Sequence, residues 1–200
     1  MKKQKEIVGV ILAAGLSSRM GELKQLLPIG GHPAVCRIAR VLKENLRQVI
    51  VVVGHRAQEV QDALSELNVE CVMNQDYRDG MLSSVQRAVR RIGPNQDFLF
   101  CLGDQPSLSG DIVQAVILEA LRVNAGIVVP TYNGKRGHPL FLGRSYGPAI
   151  LSLEQGVGLN AITRTNPQDT VEVPVENEEI LQDMDTPADY VREKTRAMKD

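Results

Sequence analysis

The segment IVGVILAAGLSSRMG spans residues 7–21, and Lys24 follows three residues after it. Its first half is apolar on both faces, which is typical of a strand buried inside a parallel sheet. The Gly- and Ser-rich half then lies at the carboxyl end of that strand, where open α/β sheets bind ligands. Small residues let backbone N–H groups approach phosphate oxygens, and Arg19 and Lys24 add positive charge. The segment therefore predicts a loop that binds a nucleoside triphosphate, although it matches neither GxxxxGK[ST] nor GxGxxG.

Apolar segments and amphipathic segments alternate through the next hundred residues. The predicted strands after the first are 48–54, 69–73, 97–102 and 126–130. The segments with helical spacing of apolar residues are 33–46, with Pro33 in the first turn, 60–67, 80–92 and 109–120. Such an alternation predicts an α/β fold whose parallel strands are joined by right-handed crossovers.

The last third of the chain is less regular. We expect a turn-rich loop at 131–137, centred on Asn133 and Gly134, and several short elements after it. These elements are a short strand at 139–142, short helices at 145–153 and 158–165, and an edge strand at 170–175. Thr186 followed by Pro187 predicts the N-cap and first turn of a final helix. Because no repeat or linker interrupts the chain, we expect a single domain over residues 1–200.

Composition limits the class of protein. The 200 residues carry 23 basic and 24 acidic side chains, a formal net charge of −1, which argues against a nucleic-acid or membrane-surface binder. No stretch approaches the ~20 apolar residues of a membrane span. Glu6 and Gly9 argue against a secretory signal in the first apolar run. Cys36, Cys71 and Cys101 form no CxxC pair, so we expect reduced thiols and a cytoplasmic protein.

Two aspartates stand where they could hold a metal. Asp104 comes after the predicted strand 97–102, separated from it by Gly103, and Asp185 lies in the segment DMDTP at 183–187. Mg²⁺ prefers one or two carboxylates together with substrate phosphates. The sequence therefore predicts a magnesium site, with the alternative that Asp185 only caps the final helix.

Two further polar segments could contact substrate. The segment NQDYRDGMLSS at 74–84 leads through Gly80 into a helix whose first turn includes Ser84, and groups there could bind a base edge or ribose. The segment RGHP at 136–139 contains His138, a general base or a hydrogen-bonding residue. The sequence shows no Ser or Cys nucleophile paired with a histidine.

Taken together, these motifs resemble the MobA-like nucleotidyltransferases, and the resemblance extends from Ile7 to Tyr190. It implies a Rossmann-like three-layer nucleotidyltransferase fold with a mostly parallel central sheet. It also implies an enzyme that joins a nucleoside triphosphate to a phosphorylated acceptor and releases pyrophosphate. The motifs that carry the resemblance are LAAGxSSRMGxxKxLLP at 12–28, GDQP at 103–106, RGHP at 136–139 and DxDTPxDY at 183–190.

The resemblance implies roles for charged residues. Arg19 and Lys24 would hold the triphosphate and balance the charge that develops in the transition state. Asp104 and Asp185 would hold Mg²⁺. The implied catalytic residues are Arg19, Lys24 and Asp104.

The resemblance also implies how base and acceptor are bound. Arg136 and His138 would face the acceptor. Related guanylyltransferases carry LAGG where this chain has LAAG, so the methyl group of Ala14 would narrow the space beside the base and favour CTP over GTP. The residues implied to contact the nucleoside are Leu12, Ala13, Ala14, Gly15, Gly80 and Ser84.

The resemblance further implies CTP and molybdopterin or molybdenum cofactor as partners, with a client molybdoenzyme as a further possibility. Two alternatives remain open at this point. One is a nucleotidyltransferase of the same fold that acts on a sugar phosphate or a methylerythritol-type phosphate. The other is a non-catalytic protein that binds and delivers molybdenum cofactor, which would not need both metal carboxylates.

Overall fold

The opening apolar segment forms the central strand of the sheet. In the computed structural model, which describes residues 6–17, 20–123 and 125–198, strand β1 (Ile7–Ala13) is buried beyond its first residue. It pairs in parallel with β4 (Gln48–Val53) on one side and with β6 (Asp97–Leu102) on the other. The prediction of a buried parallel strand is confirmed.

The described residues form an eight-stranded sheet that is mostly parallel, in the order β10-β7-β9-β6-β1-β4-β5, with β8 paired to β7. Strand β9 is antiparallel to both of its neighbours, and β8 forms a hairpin with β7. A separate ribbon joins β2 and β3. The remaining strands are β2 (Pro28–Ile29), β3 (His32–Pro33), β5 (Glu70–Met73), β7 (Ile127–Tyr132), β8 (Lys135–Arg136), β9 (Leu140–Leu142) and β10 (Thr170–Pro174).

Helices cover both faces of this sheet, which confirms the three-layer fold. The helices are α1 (Ala34–Asn45), α2 (Ala57–Leu64), α3 (Met81–Ile92), α4 (Gly110–Val123), α5 (Gly147–Leu151), α6 (Asn160–Thr165) and α7 (Pro187–Arg196). Side chains of α1, α2 and α4 share one hydrophobic cluster with Ile11 and Ala13. Side chains of α3, α5 and α6 share the other with Val10 and Leu12. Because successive side chains of a strand point to opposite faces of the sheet, β1 contributes side chains to both hydrophobic clusters.

One boundary differs from the sequence prediction. Pro33 was expected inside the first turn of a helix, but it precedes α1 as the N-cap residue. Its backbone belongs to the β2–β3 ribbon, where it lies opposite Pro28. Pairing in the ribbon therefore takes precedence over the preference of proline for a first helical turn.

The order of the strands creates a crevice at one edge of the sheet. The chain leaves β1 towards β4 on one side, whereas β6 lies on the other side of β1. Ligands of open α/β sheets bind at such a switch point, outside the carboxyl ends of the strands. The Gly103 N–H donates to the carbonyl of Leu12 at 3.0 Å, so the loops that follow β1 and β6 begin side by side.

The start of α7 is attached to the same edge. The Met184 N–H donates to the carbonyl of Asp104 at 2.9 Å. Thr186 caps α7, as predicted, and Asp189 completes a capping box by accepting from the Thr186 N–H at 2.8 Å. The Asp185 N–H also donates to Asp189, at 3.1 Å. These bonds fix the backbone of Asp185 beside the end of β6.

Two other features concern the chain as a whole. None of the helices formed by the described residues combines the length and apolar composition needed to cross a membrane. Cys36, Cys71 and Cys101 are free thiols, and Cys36 and Cys101 are buried.

Replacing Gly103 tests the close contact between the ends of β1 and β6. A Cβ atom at Gly103 would lie 2.8 Å from the carbonyl oxygen of Leu12, so Gly103→Ala is expected to lower the free energy of unfolding by about 1–3 kcal/mol. Urea denaturation measures this change. Gly110→Ala is the matched control, because its Cβ would have Asn45 Nδ2 at 3.6 Å as its nearest neighbour. Equal losses in the two variants would contradict this view of the strand ends.

Candidate active site

A cleft of about 300 Å³ opens at the predicted edge of the sheet. It extends from the loop after β1 to the first turn of α3, and the end of β6 forms its floor. The predicted site residues that line it are Leu12, Ala14, Gly15, Lys24, Gly80, Ser84 and Asp104. Residues from three distant parts of the sequence therefore meet in one place, as the topology requires.

An ion-pair cluster lies at one end of the cleft. Lys24 Nζ contacts a carboxylate oxygen of Asp104 and lies 2.9 Å from Asp185 Oδ1. The side chains of Lys24 and Asp104 are only 14% and 16% exposed. Burial lowers the pKa of Lys24, but the two carboxylates outweigh burial and leave this pKa above its ordinary value. Lys24 is therefore an ammonium ion that joins the loop after β1 to the end of β6 and the start of α7.

A third carboxyl group, that of Asp183, lies beside the ion-pair cluster. Asp183 Oδ1 accepts from the buried Gln105 side chain at 2.9 Å. Burial raises the pKa of Asp183, and the neighbouring charge of Asp104 raises it further. Asp183 therefore adds a third carboxyl group beside Asp104 and Asp185.

The donor set fits a divalent cation that is also bound to phosphate. Asp104 and Asp185 direct carboxylate oxygens at one point, because both contact the same Lys24 nitrogen. No group of three or more His, Cys, Asp or Glu side chains within residues 6–17, 20–123 and 125–198 is arranged to hold a metal. Two carboxylates completed by substrate phosphates match the coordination that Mg²⁺ prefers.

The loop that carries Lys24 is folded back on itself. Ser17, in the left-handed conformation with φ of 53°, accepts from the Lys24 N–H at 3.1 Å through its hydroxyl. The same hydroxyl donates to the buried Gln25 at 3.2 Å. The backbone of Lys24 is thus held while its side chain reaches the carboxylates. Arg19, predicted to bind the triphosphate, lies outside the described residues.

The other end of the cleft is organised by a buried asparagine. The Asn74 amide donates to the hydroxyls of Ser83 and Ser84 at 2.9 and 3.0 Å. These bonds fix the first turn of α3 beside Gly80 and leave backbone groups at the cleft. This arrangement fits the predicted role of the segment 74–84 in holding a base.

Several residues that line the cleft were not singled out from the sequence, Tyr77 and Arg78 among them. Tyr77 and Arg78 line the wall, and the Arg78 guanidinium carbon lies 5.8 Å from the centre of the Tyr77 ring. A Cβ at Gly54 would lie 2.6 Å from Tyr77 Cβ and 2.9 Å from Ala14 Cβ, so Gly54 permits Tyr77 to approach Ala14.

The side chains of the neighbouring residues Ala13 and Ala14 lie in different hydrophobic clusters. The Ala13 side chain is fully buried and packs towards α1, away from the cleft. Consecutive residues of a strand point to opposite faces, so only the backbone of Ala13 can contact a ligand here, whereas Ala14 belongs to the hydrophobic cluster on the opposite face and is among the residues that line the cleft.

The two residues predicted to face the acceptor are placed differently. Arg136 lies on β8 and donates to Glu172 Oε1 at 2.8 Å, and it is not among the residues lining the cleft. The His138 N–H donates to the carbonyl of Ile180 at 3.1 Å. Burial lowers the pKa of His138 to about 4, opposed by the charge of Asp104. His138 is therefore neutral near pH 7 and lies within the electrostatic reach of the acidic cluster.

The switch-point cleft, with its lysine and paired carboxylates, suits the binding of a nucleoside triphosphate, and the comparisons with known proteins indicate the class of nucleotidyltransferases. The model of the MobA-like NTP transferase domain matches residues 9–171. The chain belongs to this family.

Individual relatives agree with this assignment. The chain is 32% identical over 189 residues to molybdenum cofactor cytidylyltransferase of Escherichia coli K12, covering 94% of this chain and 95% of that protein. Among solved structures, a nucleotidyl transferase from Methanothermobacter superposes with a TM-score of 0.81 at 26% identity, covering 97% and 98% of the two chains. Mycobacterium tuberculosis Rv0371c in complex with manganese gives a TM-score of 0.78 at 25% identity, covering 96% and 100%.

The depressed pKa of His138 predicts a pH dependence of stability. Because the folded pKa of about 4 lies below the ordinary value of 6.5, the unfolded chain binds more protons between these values. The stability that His138 contributes is therefore present above about pH 6.5 and lost as the pH falls towards 4. His138→Gln should lose less free energy of unfolding than the wild type between pH 7 and 4.5, by about 2 kcal/mol, in urea titrations. The exposed His32 gives the control variant His32→Gln, and identical profiles for His138→Gln and the wild type would contradict the prediction.

Proposed function

We propose that this nucleotidyltransferase transfers CMP from CTP to the phosphate of molybdopterin, or of molybdenum cofactor, and releases pyrophosphate. The observation that carries the proposal is the similarity to the Escherichia coli molybdenum cofactor cytidylyltransferase over 94% of this chain and 95% of that protein. The position of Ala14 at the cleft supports the choice of base.

The residues in the cleft suit an in-line displacement. An oxygen of the acceptor phosphate forms a bond to the α-phosphorus of CTP, and the bond to the β-phosphate oxygen breaks as pyrophosphate leaves. The acceptor phosphate, with a second pKa of about 6, is largely ionised near neutral pH and needs no general base. The protein's task is to position the reactants and neutralise charge.

Each residue then has a proposed role. Asp104 and Asp185 would hold Mg²⁺. Bound there, Mg²⁺ would supply positive charge to the phosphates. Lys24 would bind the triphosphate with Arg19, whose part stays a prediction. His138, neutral near pH 7, would contribute a hydrogen bond on the acceptor side.

Replacing Ala14 tests the basis of nucleotide selection. Ala14→Gly removes a methyl group at the cleft and is expected to shift the ratio of kcat/KM for CTP to that for GTP towards GTP by about tenfold. Ala13→Gly is the matched control, because it removes a methyl group that is buried on the opposite face. If this ratio is unchanged in Ala14→Gly, the Ala14 methyl group does not contribute to the selection of the base.

The proposed reaction is tested directly by pyrophosphate release. Purified protein is incubated with Mg²⁺, molybdopterin and CTP, GTP or ATP, and CTP is expected to give the fastest release. Asp104→Asn should reduce the rate by about 10²-fold or more, whereas Asp111→Asn, on the exposed start of α4, should retain it.

Other outcomes separate the alternatives. Faster release with a sugar phosphate than with molybdopterin would assign a different acceptor to the same chemistry. Molybdenum cofactor delivery that persists in Asp104→Asn, without pyrophosphate release in the wild type, would indicate a carrier protein instead.

A further inference from the structure

We propose that the ammonium of Lys24 and the divalent cation compete for one position between Asp104 and Asp185. The nucleotide phosphates would then release the carboxylates by drawing Lys24 to themselves, so that metal and nucleotide bind cooperatively. This inference rests on the part of the proposed function that assigns the metal to these carboxylates. It does not depend on the identity of the base or of the acceptor.

The contacts of Lys24 carry the argument. Its Nζ is in contact with Asp104 and lies 2.9 Å from Asp185, so it occupies the point on which both carboxylates converge. A metal ion that bound both carboxylates at that point would overlap the ammonium and be repelled by it. Lys24 must therefore leave before both carboxylates can coordinate a metal together.

The side chain can move without the backbone. The Lys24 N–H is held by the Ser17 hydroxyl, and the residue begins a short 3-10 helix, Lys24–Leu26. A lysine stem of four carbons can swing about this anchor and carry its charge to another anion. The triphosphate supplies that anion, since Lys24 lines the same cleft as Gly15 and Gly80.

The competition has a thermodynamic consequence. Without nucleotide, the metal must displace Lys24 from two carboxylates and leave the ammonium without an equivalent anion. With nucleotide, the phosphates accept Lys24 and also coordinate the metal. Because coupling between two ligands is reciprocal, the nucleotide strengthens metal binding through Lys24, and the metal strengthens nucleotide binding to the same extent.

The experiment measures Mn²⁺ binding to the protein without nucleotide or acceptor, by the electron paramagnetic resonance signal of free Mn²⁺. Lys24→Met is expected to bind Mn²⁺ about tenfold more tightly than the wild type. Lys24→Arg keeps the positive charge and should gain no affinity. Lys135→Met removes a lysine charge from the exposed strand β8 and should bind like the wild type. Equal affinities for Lys24→Met and the wild type would overturn the competition.

The double variant Lys24→Met/Asp104→Asn separates failure of this inference from failure of the metal assignment. It should lose the affinity gained by Lys24→Met. If it binds Mn²⁺ as tightly as Lys24→Met, Asp104 is not a metal ligand, and both the competition and that part of the proposed function are overturned. The Mn²⁺ measurement contains neither CTP nor molybdopterin. Its outcome is therefore the same whether or not the protein uses these two substrates.

A second measurement needs no variant. Wild-type protein is treated with an amine acetylating reagent with and without saturating Mn²⁺, and modification is followed by mass spectrometry. Displacement of the 14%-exposed Lys24 side chain should speed its acetylation several-fold, while the exposed Lys135 should react at the same rate in both samples. An unchanged rate at Lys24 would overturn the proposal even if Lys24→Met proved too unstable to assay.

Discussion

The contact of Lys24 with Asp104 and Asp185 is the interaction on which the active site depends. The contact joins three distant segments, because Asp104 lies 80 residues after Lys24 and Asp185 lies 161 residues after it. Lys24 and Asp104 are largely removed from water, so loss of the ammonium would take away a positive charge that compensates both carboxylates. The structure limits this cost with backbone bonds, since the Met184 N–H donates to Asp104 and the capping box at Thr186 fixes the start of α7. Folding of these segments and formation of the site are therefore coupled.

The topology explains why His138 approaches the same cluster. Strand β9 enters the sheet between β6 and β7, antiparallel to both. Because it runs antiparallel, its first residues lie beside the carboxyl end of β6, where Leu140 is opposite Phe100. His138 lies two residues before the start of β9 and is therefore placed near Asp104. In a parallel strand at this position, the same motif would lie at the other edge of the sheet.

Periodicity was enough to predict most of the elements, because buried strands and amphipathic helices differ in their apolar spacing. It could also have separated Ala13 from Ala14, since adjacent strand residues face opposite sides. The direction of β9 was not predictable, because three apolar residues carry no signal of their pairing partner. Likewise, local sequence gave no indication that Lys24 contacts the carboxylates, or that Gly54 permits Tyr77 to reach Ala14. Such contacts depend on where distant segments meet.

The charges at the end of β6 bear on how the proposed substrate would bind. A triphosphate entering the cleft would approach Asp104, which lines it, and phosphate and carboxylate repel each other at short range. Lys24 lines the same cleft and already contacts Asp104 and Asp185. Under the proposed function, a divalent cation held by these carboxylates would supply further positive charge to the phosphates. Lys24 and the cation would then share the neutralisation of carboxylates and phosphates, which is why the proposed chemistry would need both.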